Sequence, residues 1–293
     1  MTRRALAALV SAGMLFTSHA ASAAPFFFST GVPNGAMGMA SRPGSAGGIE
    51  TEAADDFITT SATSITSATF TGIVPLGALV QQVVVEVYRV FPKDSDTVRT
   101  PNVTTRVNSP SDNAFDSRDS SASGQLSFTT TDLGGFSVGN SVDTGINPAP
   151  SQRTGGEGPV SGEEITFDVN FLTPFMLPSD HYFFVPQVLL GDVNQHFLWA
   201  SGQRPLLAPG ETPFAPDLQA WIRNANLDPD WSRVGTDIVG GSPPPTFNGA
   251  FTLVGTTEAV SVPEPASWSL LVLALAAASL TLARRPAAGE RRA

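Results

Sequence analysis

The sequence predicts an all-β protein: a single antiparallel β-sandwich of jelly-roll type over residues 50–256, with an N-terminal signal peptide before it and one C-terminal transmembrane helix after it. Three observations predict this. Short runs rich in Val, Thr, Phe and Ile recur between clusters of Gly, Pro, Asn, Asp and Ser, the pattern of strands joined by turns. Helical periodicity is nearly absent outside the two terminal segments. No repeat of fixed period is visible, which argues against a propeller or solenoid and leaves two facing sheets as the economical way to bury half-apolar strands.

The elements follow in order. Thr2-Arg3-Arg4, the apolar stretch Ala5 to Phe16 and Ala21-Ser22-Ala23 form a basic region, an apolar core and a small-x-small site. Residues 1–23 are therefore a signal peptide, with Ala21 and Ala23 as the signal peptidase site. The apolar core is too short for a stable span. Residues 24–49, rich in Gly, Ser, Ala and Pro without periodicity, read as a poorly ordered lead-in. Strands are expected at 56–60, 64–71, 82–91, 103–107, 125–131, 164–171, 182–190, 196–200 and 247–254. In the third of these, Val83, Val85 and Val87 form an apolar face opposite Val84, Glu86 and Tyr88. Between 164 and 171, Ile165, Phe167, Val169 and Phe171 alternate inward. Residues 145–162 and 205–216 read as long loops, and 257–262 as a linker.

Residues 263–293 are of a different kind. Pro263 and Pro265 hold Glu264 out of helix, so Val262-Pro263-Glu264-Pro265 is an extended peptide that loses little entropy on entering a cleft. Residues 267–283 carry no charge, and the stretch from Ala266 reaches about 27 Å as a helix, short but adequate for a membrane with modest thinning. Trp268 sits where an interfacial aromatic belongs. Arg284, Arg285, Arg291 and Arg292 place the C-terminus in the cytoplasm and the Pro-Glu-Pro box outside.

The box, the single span and the arginine pair, in that order at the C-terminus, resemble the PEP-CTERM sorting signal of Gram-negative exopolysaccharide-producing bacteria. The resemblance covers about the last tenth of the chain. It implies recognition by an exosortase, an integral-membrane cysteine enzyme that cleaves near the box. Pro263, Glu264 and Pro265 would then be the processing motif and Arg284 and Arg285 the retention signal. The span lacks the glycines common in that family, and Pro286 to Ala293 trail beyond the first arginine pair.

Composition narrows the partners. Of 26 acidic residues only Glu290 lies outside 24–265, whereas six of the 16 basic ones do, so that body carries a net charge of −15. Nucleic acid and anionic lipid both need clustered Lys and Arg, and are excluded as partners of the body. Cysteine is absent, which rules out disulfides, catalytic thiols and thiolate metal sites.

Four constellations are candidates for chemistry. His181 and His196, with Asp180 and Asp192 near them in sequence, would form an acid–base or metal pair if they faced each other across a hairpin. Glu163, Glu164 and Asp168 offer carboxylates of the glycosidase kind, although adjacent strand residues point to opposite faces. Asp94, Asp96, Asp112, Asp116 and Asp119 form an oxygen-rich stretch as a candidate Ca²⁺ site, without the EF-hand spacing. Trp199, Trp221 and Trp231, with Tyr182, are a candidate aromatic platform for sugar rings, set against burial in the core.

The expected function is that of an exported, non-enzymatic surface or exopolysaccharide-matrix protein without an obligatory cofactor. It is held in the inner membrane by its C-terminus, then processed by an exosortase and passed to the envelope or matrix. The alternative is a carbohydrate-binding or adhesion module stabilised by Ca²⁺, and a third reading is a glycoside hydrolase.

Overall fold

A computed structural model describes residues 23–96, 98, 107–146, 153–203 and 217–258. The signal peptide up to residue 22, the strand expected from 103, the loop at 205–216, and the box, span and arginines of the tail lie outside the described residues. Among the described residues, no helix is long and apolar enough to cross a membrane.

The body is all-β, in two sheets. The strands are β1 (Pro25–Ser29), β2 (Met37–Ala40), β3 (Thr51–Thr59), β4 (Thr63–Val74), β5 (Val80–Val90), β6 (Pro110–Asp119), β7 (Leu126–Val138) and β8 (Asn140–Val142). They continue as β9 (Val160–Leu177), β10 (Asp180–Leu190), β11 (Leu198–Gly202), β12 (Trp221–Asn224), β13 (Ser232–Arg233), β14 (Asn248–Gly249) and β15 (Phe251–Thr257), with one π-helical turn at Val234–Val239. The first sheet runs β1-β15-β4-β11-β2-β8, with β9 and β7 continuing from β4 and β14 beside β11. The second runs β13-β12-β3-β10-β5-β6. Pairing is antiparallel except between β2 and β8, which lie parallel.

The arrangement is sandwich-like because alternate residues of both sheets meet in one core. Phe28, Phe70, Phe167 and Phe251 of the first sheet pack with Phe57, Val85, Tyr182 and Phe184 of the second. The contacts are aromatic across the gap: Phe70 lies 6.3 Å from Phe184, and Phe184 stacks on Phe251 at 5.0 Å. The alternation expected for β9 holds, with Phe167, Val169 and Phe171 buried and Asp168 and Asn170 outside.

Residues 24–49 depart from expectation. Instead of an irregular lead-in they supply β1 and β2. Phe26-Phe27-Phe28 alternates as a strand: Phe28 is buried against Phe57 and Phe251, while Phe27 is half exposed opposite Val254. The small residues of β2 serve close packing, since a Cβ on Gly38 would meet Leu198 and Val138 at 3.2 and 3.3 Å. The Asp-rich stretch also differs. It contains β6, a bulged edge strand on β5, whose Arg118 lies over the Phe175 ring at 4.4 Å and donates to the carbonyls of Thr173 and Pro174. The linker begins later than expected, because Thr257 still belongs to β15.

Candidate functional site

The tryptophans are structural. Trp199, Trp221 and Trp231 are at most 4% exposed, and each indole N–H donates to a backbone carbonyl, of Ala250, Leu218 and Ser111 respectively. The expected sugar platform is therefore overturned: an edge or face that stacks on a ring must be open, and these are enclosed. Tyr182 is likewise buried and donates to Pro178 O at 2.9 Å.

The aspartates of the candidate Ca²⁺ stretch are engaged within the chain. Asp116 pairs with Arg118, Asp119 accepts from Gln82 and Ser121, Asp94 faces Arg89 at 3.3 Å, and Asp112 accepts from the Asp96 N–H. Among the described residues, no three Asp, Glu, His or Cys side chains converge as metal ligands. Glu163 accepts from Gly77 N–H and Asp168 from Thr69, and burial pushes the Glu164 carboxyl up.

The two histidines do not face each other. Each has its own aspartate instead. His181 Nε2 meets Asp56 Oδ2 at 2.6 Å; Asp56 is almost wholly buried and the His181 side chain is 16% exposed, on the second sheet. Asp180 supplies an acceptor to the His181 N–H and is held by Lys93, while Asp192 closes the turn ahead of His196 by accepting from Asn194 N–H.

The pair that reaches solvent is His196 with Asp143, at 2.5 Å, the side chains 24% and 28% exposed. His196 stands just before β11, and Asp143 follows β8 directly, so the β11-β2-β8 order of the sheet brings together residues 53 positions apart. The loop after Asp143 is fixed by Glu157, which accepts from the N–H groups of Thr144 and Gly145. Asn140 and Ser141 anchor the returning segment through Gly155 and Gly158.

The pair separates two adjoining clefts, of about 310 and 540 Å³, that share Asp143, Asn194 and His196. The smaller adds Ser141, Ser161 and Gln195; the larger adds Arg42, Thr51, Asn224 and Asn226. Carboxamides, a carboxylate and an imidazole in one depression suit hydrogen bonding to a polyhydroxylated ligand. Ser141 donates to Gly158 O and Ser161 bonds Ser137, so neither of these serines is set beside the imidazole. Sequence reading picked out His196 but missed Asp143 and Asn194. They come from separate loops, and no spacing in the chain links them.

A second group without a sequence signal lies buried on the outer face of the second sheet. Arg223 of β12 pairs with Glu52 of β3 and with Asp228, and its guanidinium lies 4.4 Å over the Trp231 ring. Tyr88 Oη donates to Glu52 Oε1 at 2.6 Å, accepts from Arg223 Nη2, and lies 2.9 Å from Glu86 Oε2. Burial, and then the charge of Glu52, pushes the Glu86 carboxyl up to about 8.

Comparison with family models, with curated proteins and with solved structures finds no match.

Proposed function

We propose that the chain is an exported, non-enzymatic surface or exopolysaccharide-matrix protein, carried on a jelly-roll-like β-sandwich. In this reading a C-terminal signal with Pro263-Glu264-Pro265 as its processing motif anchors it in the inner membrane until an exosortase cuts there. The observation that carries the reading is the order of box, uncharged span and arginine pair at the end of the sequence. The body's layout is compatible with cutting at both ends. The compact unit runs from Ala23 to Glu258, and its last strand closes at Thr257, so processing at residues 263–265 leaves every described strand in place. Thr257 N–H donates to Ala24 O at 2.8 Å, which puts the first and last residues of the fold side by side.

Glu264→Ala, or alanine at both Pro263 and Pro265, is expected to leave a full-length, membrane-bound precursor in a host that makes an exosortase. Fractionation and immunoblotting read the result. Processing and release of the variants at the wild-type level would overturn the sorting reading.

The His196–Asp143 clefts favour a second role, a carbohydrate-binding surface that retains the released body in the matrix. The substitution His196→Ala, alone or with Asp143→Ala, is expected to weaken retention on purified host exopolysaccharide without shifting the melting temperature. Equal retention by variant and wild type removes this role and leaves the sorting proposal standing.

A further inference from the structure

The two sheets meet near β14 around buried oxygens that no donor among the described residues reaches. Asp55 of β3 is 1% exposed; its Oδ2 accepts from Gly249 N–H at 3.0 Å, and its Oδ1 has no hydrogen-bond partner. Asn248, 4% exposed, donates through Nδ2 to Asp217 Oδ2 at 3.2 Å, and its own Oδ1 has no partner either. Asp217 Oδ1 in turn accepts from Gln219 N–H, across a residue pair bent by a left-handed Gln219 at φ 66°. Asp56 points to the opposite face of β3 and is occupied by His181 and the Leu218 N–H.

A buried acceptor without a donor costs as much as a lost hydrogen bond, and a buried carboxylate demands a compensating positive charge. Two such acceptors on opposite sheets, with Asp217 bonded to one of them, make a local demand for a cation. Burial, followed by the charges of Asp56 and Asp217, pushes the Asp55 carboxyl well up.

We propose that Asp55, Asp217 and Asn248 bind a hard divalent cation, Ca²⁺, that ties the first sheet to the second. The donors are all oxygens, two carboxylates and one amide, drawn from the middle of β3, the two-residue β14 and the irregular segment before β12. Ca²⁺ tolerates such geometry and completes its shell with backbone carbonyls and water, whereas Mg²⁺ demands a stricter octahedron. The site is distinct from the Asp94–Asp119 stretch, and it does not depend on how the tail is processed.

The test is a thermal melt of the full chain in detergent, followed by tryptophan fluorescence in EDTA and in about 1 mM Ca²⁺, with calorimetric titration of Ca²⁺. Ca²⁺ is expected to raise the midpoint by about 5 °C or more. Asp55→Asn should abolish that response while melting in EDTA at or above wild type, because the amide is the neutral isostere. Asp217→Asn, at the half-exposed rim, should weaken Ca²⁺ binding about tenfold or more, and it decides the matter if Asp55→Asn does not fold. Identical wild-type midpoints in EDTA and Ca²⁺ overturn the proposal, as expected if a proton on Asp55 alone satisfies the pair. A Ca²⁺ response unchanged in Asp217→Asn and in any folded Asp55→Asn overturns it too, by placing the ion elsewhere.

Discussion

Replacing Arg223 by alanine is expected to destabilise the body by about 3–5 kcal/mol, read as a lower urea midpoint at unchanged slope. Arg223 is the cation inside a group of acids. It is 5% exposed, pairs with Glu52 at 3% exposure and with Asp228, and covers Trp231. Without it Glu52 is left charged and enclosed, and Tyr88 loses the donor on its oxygen. The pair itself need not be net stabilising, since its desolvation offsets its attraction; removing one partner is what costs. The double variant Arg223→Met with Glu52→Gln should therefore recover part of the loss. If the single variant melts like wild type, the cluster is not enclosed as described.

The same cluster sets a pH dependence. Burial and the neighbouring Glu52 charge disfavour a charged Glu86, whose neutral form can share a proton with Glu52 beside Tyr88. Its folded-state pKa, about 8, lies above that of an unfolded glutamate. Stability from this group is full below the unfolded value, near pH ~4.3, and is lost as pH rises to and through 8. Glu86→Gln keeps the donor at all pH values. It is expected to raise the melting temperature at pH 8 and above and to change it little at pH 5.

Trp199→Ala is expected to cost about 3–5 kcal/mol and to lower the melting temperature by about 6–20 °C. Trp199 is fully buried at the meeting of the sheets, 6.1 Å from Phe184 and 5.8 Å from Phe251 by ring centroids, with its N–H on Ala250 O at 3.0 Å. Gly249 is glycine because the indole occupies its side-chain space: a Cβ there would lie 2.1 Å from the Trp199 ring. Truncation thus opens a cavity and removes one of the two donors on the Ala250 carbonyl, leaving Thr71 N–H. A sugar platform behaves oppositely, losing glycan binding at constant stability. Wild-type melting with lost glycan retention would restore the platform reading.

Strand positions were legible wherever alternation was strong. β5, β9 and β10 lie close to where the valine and phenylalanine patterns put them, because one face of each meets the core and the period of two survives in the residue order. β6 was not legible. Its Asp, Ser and Arg residues have the composition of a loop, and they form a strand because β5 offers an edge and the charges find partners such as Arg118 with the Thr173 and Pro174 carbonyls. β2 was hidden likewise, since a Gly- and Met-bearing tetrapeptide becomes a strand only between β11 and β8.

By itself the sequence determined the all-β character, the acidic cysteine-free body and the order of motifs in the tail, since each depends on local chemistry or on counting. Only the tertiary structure decided which polar residues meet. The side chains of Trp199, Trp221 and Trp231 turn inward, His196 pairs with Asp143 rather than His181, and Asp55 accepts from Gly249 N–H across the two sheets. The reason is sheet order: strands far apart in the chain become neighbours through hydrogen-bonded pairing. The site residues contributed by their loops carry no periodic signal that would announce the meeting.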